Sequence, residues 1–438
     1  MRRAAAREGV IVTVIDLGEL RRDPAPEPPP RPPRAVGRPY RVLAVLLAVL
    51  WVVAGGAPRP ERVVAIVPAR LGADVFLAAD RLYVVDPLDP QQGTGRLLVA
   101  YRIPAQGPPA VLWRTSLPAG GGDVWLLQQG GTVLVSGRPV GGPEGVFRTT
   151  ALDAGTGRSG WQQPGASYPA GDGVLLQNLD VSGAGSLRRV DAASGRTLWS
   201  VPTPLDGPNL RFGPDGVDRI VLVAPSGEVE VRDPASGSLL AARNIRPGQL
   251  PSWQRNQIVG DLLLVIGDNG GTVTGYGLDR LDQRWTARLA QVGYLTDCGD
   301  LLCAYRQTGG MWVLDPATGA VRWSNPRWQA VLWAEQGRFL VGSDDPGGPR
   351  FVVADAATGQ PVADLGSWEL ASWHEPGDPL IGVRRGGDGR LLVAELDVAA
   401  ARARVFDALP DVLGDCRNGR RVLVCRRSAG GFGVWRLP

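Results

Sequence analysis

The sequence contains no lysine: all 47 of its basic residues are arginine. It has one histidine, two methionines and four cysteines, and only seven tyrosines and seven phenylalanines, in 438 residues. These shortages close off several chemistries. Without lysine there is no phosphate-cradling Gly-Lys loop. No Gly-x-Ser-x-Gly elbow occurs, so that hydrolase nucleophile is missing too. The cysteine spacings are not Cys-x-x-Cys and His374 stands alone, which speaks against a structural zinc. The arginine bias itself reads as codon usage in a GC-rich genome. A long apolar run is also lacking. The uncharged stretch 42–58 (VLAVLLAVLWVVAGGAP) has an apolar part of roughly 14–16 residues, against the roughly 20 that span a bilayer comfortably.

The net charge of +4 is unevenly placed. Residues 1–62 hold 11 arginines and six acidic residues, and the remainder holds 36 and 37. The larger part is therefore near neutral and has no basic face for nucleic acid. The surplus flanks 42–58: Arg31, Arg34, Arg38 and Arg41 precede it. That asymmetry predicts one transmembrane helix at 42–58, a cytoplasmic tail at 1–41 and an extracytoplasmic remainder. Two features favour an uncleaved anchor over a signal peptide: the preceding region is long, and a cut after Ala57 would put Pro58 next. Within the tail, Pro24 to Pro33 is proline-rich and expected to be disordered. Val10 to Leu20 is an apolar run suited to strand addition onto a cytosolic partner.

What is abundant is glycine (60), proline (38) and tryptophan (14). From Glu61 onward, short alternating apolar runs such as Leu262-Leu263-Leu264-Val265-Ile266 are bounded by Gly, Asp or Pro turns. One phrase recurs: Asp, two small residues, Thr or Ser, Gly, then a strand ending at Trp. Clear copies are Asp153/Gly157/Trp161, Asp191/Gly195/Trp199 and Asp315/Gly319/Trp323. Weaker copies begin at Asp233, Asp279, Asp355 and Asp397, giving gaps of 38, 42, 46, 36, 40 and 42 residues. Ala241, Ala363 and Val405 take the Trp place, and Asp279 to Trp285 lacks the Gly and is two residues short. A period near 40 with several strands per period predicts an all-β β-propeller of four-stranded blades. Units fall near 71–118, 120–163, 166–202, 208–244, 252–288, 291–326, 329–367 and 370–408. The tail from Asp411 and the run Arg62 to Val67 share one more, so that no sheet edge is left open. Literal counting gives nine blades. Eight is the preferred number, on the reasoning that nine is rare and one unit is drawn wrongly, with seven as the further alternative.

This phrase resembles the pyrroloquinoline-quinone-like (PQQ-like) repeat, over about 60–438 of the chain. The anchored form is similar to exported propellers of high-GC Gram-positive bacteria, and more distantly to the outer-membrane assembly lipoprotein. The resemblance raises quinone-dependent oxidation with calcium. Such enzymes resemble this fold but carry a vicinal Cys–Cys pair and an acidic base, and no adjacent cysteines occur here. The repeating Asp, Gly and Trp are expected to be architectural, since a motif present in every blade cannot mark a single cofactor site. Asp accepts bonds from N–H groups two or three residues on, and Gly supplies positive φ.

Cys298 and Cys303, like Cys416 and Cys425, place one cysteine at the end of a first strand and its mate in the second. This predicts two hairpin disulfides, 298–303 and 416–425, which suits an exported domain. Two minor candidates remain: His374 with Glu375 as a base, and Ser343-Asp344-Asp345-Pro346-Gly347 as oxygen ligands for calcium. Neither pattern is specific. The expectation is a membrane-anchored, extracytoplasmic, non-catalytic protein-interaction or scaffolding propeller with no catalytic, cofactor or metal residues. The alternatives are a PQQ-dependent dehydrogenase-like oxidoreductase and a ligand sensor.

Overall fold

The computed structural model describes residues 45–47, 63–78, 80–88, 95–105, 107–118, 120–139, 146–179, 185–205, 207–246, 255–345, 348–371, 378–419 and 421–437. The chain divides into two units, 1–60 and 61–438. In the first, residues 45–47 are helical and exposed. The tail 1–41, with its run 10–20, and the rest of 42–58 lie outside the described residues. No helix among the described residues is long and apolar enough to cross a membrane.

The second unit is all-β, and its described strands fall into four-stranded antiparallel sets, consistent with a β-propeller. Seven sets are separate sheets; two more are joined into one eight-stranded sheet by a single bridge between Ala170 and Gly216. Numbered along the chain, sheets 1 to 8 cover 74–117, 120–164, 166–203, 208–244, 255–288, 292–325, 328–366 and 369–409. Sheet 9 combines Val412–Gly419, Val422–Arg427 and Phe432–Arg436 with Val63–Val67 from the start of the unit. The described sets therefore number nine, and the preference for eight is corrected. No unit had been split wrongly; the bridge at Ala170 joins two complete sets.

We call the strands of each sheet A to D, from A to the edge strand D. First strands touch between sheets 1 and 2, 2 and 3, 4 and 5, 5 and 6, 6 and 7, and 9 and 1. Sheet 3 meets sheet 4 through its first strand and the second strand of sheet 4, and sheets 7 and 8 meet through their D strands. The first strand of sheet 9 touches the second and third strands of sheet 8, so the succession closes on itself. Strand B is covered on both faces, which explains its unbroken apolar runs. Leu263 to Ile266 and Val133 to Val135 are all buried. Strand D alternates exposed and half-buried residues, as at Thr197–Thr203. Each core cluster draws on two neighbouring sheets: Tyr83, Leu98 and Trp113 of sheet 1 pack with Leu126, Val133 and Leu152 of sheet 2. The seam is sealed in the same way, with Val75 and Leu82 against Val424 and Phe432. Arg436 adds bonds from sheet 9 to the carbonyls of Pro104 and Ala105.

Candidate functional site

The repeated phrase forms the corner between strands C and D. Asp153 Oδ1 accepts the backbone N–H of Thr156 at 2.8 Å and its hydroxyl at 2.7 Å. The same pair of bonds joins Asp191 to Ser194, Asp233 to Ser236 and Asp355 to Thr358. Asp315 accepts the N–H groups of Ala317 and Thr318, and pairs with Arg322. The closing glycine donates its N–H to the carbonyl of the Asp, as Gly195 does to Asp191 at 2.8 Å, at a φ of 72°. The Thr and Ser hydroxyl bonds hold the carboxyls of Asp153, Asp191 and Asp355 below their ordinary value, aided by the backbone N–H bonds.

The tryptophan, which is the third residue of strand D and does not end it, serves the next sheet, not its own. Trp161 donates its indole N–H to the Ala192 carbonyl at 3.0 Å, and Trp323 to that of Ala356 at 2.9 Å. Trp285 does the same to Pro316. Each ring lies on the glycine of that next corner. A Cβ added to Gly195 would sit 2.5 Å from Trp161, and one on Gly359 would sit 2.6 Å from Trp323. Trp113 docks on Gly157 by the same rule; the sequence pattern missed it because no Asp-Gly corner precedes it in sheet 1. Conversely, Ala241 precedes a corner closed by Leu281, and Ala363 precedes one closed by Ala401, both at positive φ.

One register is corrected. In the fifth sheet the corner begins at Gly277, not Asp279: Gly277 N–H bonds the Asp282 carbonyl and Leu281 N–H bonds the Gly277 carbonyl, as Asp153 and Gly157 do in theirs. Counted from Gly277, Trp285 stands at the usual eight-residue offset, so nothing is deleted. Asp279 instead pairs with Arg284 and Arg280.

Disulfides join Cys298 to Cys303 and Cys416 to Cys425. Cys298 ends its strand, Val292–Cys298, but Cys416 lies inside Val412–Gly419. There the pairing shifts between Gly414 and Arg417, so Asp415 and Cys416 form a bulge opposite Cys425. His374 and Glu375 lie outside the described residues. Ser343 is buried, and Asp344 and Asp345 pair in register with Pro349 and Gly348 at the end of the strand Arg338–Asp345, while Pro346 and Gly347 lie outside the described residues. Among the described residues, no group of three or more His, Cys, Asp or Glu could hold a metal. The residues do not fit a quinone site of the expected kind. All four cysteines are consumed in two separate sheets, and the Asp-Gly corners lie one each in sheets 2, 3, 4, 6 and 7.

What the corner face does present is a groove. One cavity of about 780 Å³ runs from the A–B turn of sheet 6, at Cys298 to Leu301, to that of sheet 7, at Glu335 to Arg338. A second, of about 800 Å³, shares Glu335 and Gln336 with it and continues over sheet 8 to Arg421 and Leu437 of sheet 9. Its apolar lining includes Trp333, Leu380 and Phe406. At the junction of sheets 8 and 9, Val405 stands at the Trp position, and the fourth strand of sheet 9 is Val63–Val67. Leu437 N–H bonds the Arg421 carbonyl, as Ala154 bonds Gly131, so only the first step of the corner is made there.

Among solved structures, the chain is similar to BamB from Moraxella catarrhalis, at 14% identity over 86% of this chain and 97% of that one, with a TM-score of 0.43. It is similar also to the computationally designed Ika8 protein, at 16% identity over 71% and 95%, with a TM-score of 0.44. A europium-containing methanol dehydrogenase matches at 12% identity over 76% and 83%, with a TM-score of 0.41. Likenesses this distant carry nothing about activity. A comparison with curated proteins finds no match. Residues 99–325, just over half of the chain, match a family of PQQ-like repeats. The chain belongs to that family, the one described as outer membrane protein assembly factor BamB.

Proposed function

We propose that this protein is a non-catalytic interaction or scaffolding module, held at a membrane by residues 42–58 with its β-propeller on the extracytoplasmic side. The observation that carries the reading is the engagement of the repeat residues. Asp, Thr or Ser, Gly and Trp are spent on turns and on docking each sheet to the next. The family's description as an assembly factor supports a protein partner. Two disulfides suit an oxidising compartment. The arginines before 42–58 support the orientation.

Crosslinking of the full-length protein in intact membranes, followed by affinity capture, tests the partner. Protease accessibility in the same preparation tests the side. Saturable crosslinking to a defined protein and digestion of 61–438 from outside are expected. A propeller protected by the cell membrane would overturn the localisation. Quinone-dependent oxidation predicts a bound chromophore and dye-linked turnover when pyrroloquinoline quinone and calcium are added, and we expect neither.

A further inference from the structure

The groove over sheets 6 to 9 differs in charge from the cavity of about 480 Å³ over sheets 4 to 6, which Arg211, Arg219 and Arg284 line with Asp261 and Asp279. We propose that the groove binds an extended, cationic segment of a protein partner. This deepens the interaction reading above and rests on it. Three features carry the inference.

The first is shape. Each cavity falls within the roughly 300–1,000 Å³ of ligand-binding clefts. Because they share Glu335 and Gln336, they form one track across four consecutive sheets. A track with half-buried Trp333 and Phe406 in its lining suits a chain that lays alternate side chains down.

The second is charge. Six carboxylates and four guanidinium groups line the two cavities. Arg322 is held by Asp315 and Asp397 by Arg402, neither partner being part of the lining, and Arg404 is held by Glu395 at 2.6 Å, so the lining keeps two more carboxylates than guanidinium groups. The exposed Glu335 stands at the junction of the cavities, with Asp300 on one side and Asp378 on the other. The field therefore favours arginine or lysine side chains and opposes phosphate, nucleic acid and anionic lipid headgroups.

The third is rigidity at the two ends. The disulfides lie in sheets 6 and 9, the sheets that end the track. Cys298 lines the first cavity, and Cys416 and Cys425 share a core cluster with Leu437, which lines the second. Fixing both walls before binding reduces the ordering cost of the complex.

The test uses the full-length protein in detergent and a fluorescein-labelled peptide, Arg-Leu-Arg-Phe-Arg-Leu, with Glu-Leu-Glu-Phe-Glu-Leu as its counterpart. Fluorescence anisotropy should show saturable binding of the arginine peptide only, weakening as salt rises from about 0.05 to about 0.3 M. Glu335→Gln combined with Asp378→Asn should weaken binding about tenfold. A charge-matched pair away from the groove, Glu228→Gln with Asp388→Asn, should change it less than about twofold. Circular dichroism and thermal unfolding confirm that both variants fold. Absence of binding, equal loss in both variants, or binding of the glutamate peptide overturns the proposal. So does concentration-dependent self-association lost in the groove variant, which would make a second copy the occupant. The membrane crosslinking separates the two readings: a partner captured equally by the groove variant leaves the interaction function standing and removes the groove.

Discussion

Where glycine closes a corner, it answers to two demands at once. At Gly359 the backbone sits at a φ of 68°, and Trp323 of the preceding sheet occupies the place a side chain would need. Gly130, in an A–B turn, has a φ of 55° but nothing within 4 Å of its Cβ direction. Gly359→Ala should therefore cost roughly 2–4 kcal/mol, combining backbone strain with overpacking, whereas Gly130→Ala should cost about 1 kcal/mol. Urea unfolding midpoints measure the difference, and equal losses would remove the role of the ring. The corner carboxylates give a second residue-scale expectation. Hydroxyl and N–H bonds lower the pKa of Asp191 on folding, so its carboxylate stabilises the fold above the unfolded value near 3.9. That contribution disappears as pH falls through the lower folded value. Asp191→Asn should lower the unfolding midpoint at pH 7 and leave it close to that of the parent near pH 2.

Between elements, tryptophan and glycine are matched one sheet out of phase. Trp161, Trp199, Trp285 and Trp323 face Gly195, Gly237, Gly319 and Gly359. Where the tryptophan is missing, as at Ala363, the next corner is closed by a residue with a Cβ, Ala401. Ala363→Trp alone should destabilise by about 1–3 kcal/mol through overpacking, and adding Ala401→Gly should recover most of the loss. A double-mutant cycle in urea reads the coupling, and simple additivity would contradict the docking rule. The disulfides belong to this scale as well. Each closes a hairpin with a sequence separation of only 5 or 9. Reduction should therefore cost at most about 2–3 kcal/mol per bond and lower the melting temperature by a few degrees without unfolding the protein.

For the whole molecule, closure depends on a strand from the far end of the unit. Val63–Val67 pairs with Phe432–Arg436, and no other described strand covers that edge. Deleting residues 63–67 should leave a three-stranded ninth sheet with an exposed ladder, and light scattering should then show dimers or larger species. A three-dimensional density map should resolve nine four-stranded sheets.

Much of this was legible along the chain. Turn residues and strand periods delimit every sheet to within a few residues, because the Asp-x-x-Thr-Gly hydrogen bonds are local and each strand B, covered on both faces, must be apolar throughout. The two cysteine pairings were legible for the same reason, as hairpin neighbours. Three things were not. The corner at Gly277 carries no Asp in first place, so only its backbone bonds reveal the register. Literal counting along the chain reached nine, but the choice between nine and eight rests on how many sheets meet before sheet 9 touches sheet 1, a property of packing between repeats and not of any one repeat. The groove is lined by residues from Cys298 to Leu437 on four consecutive sheets, so no single repeat carries it. Local hydrogen bonding and burial determine what each repeat becomes; packing between repeats decides how many close the succession and where a groove is left between them.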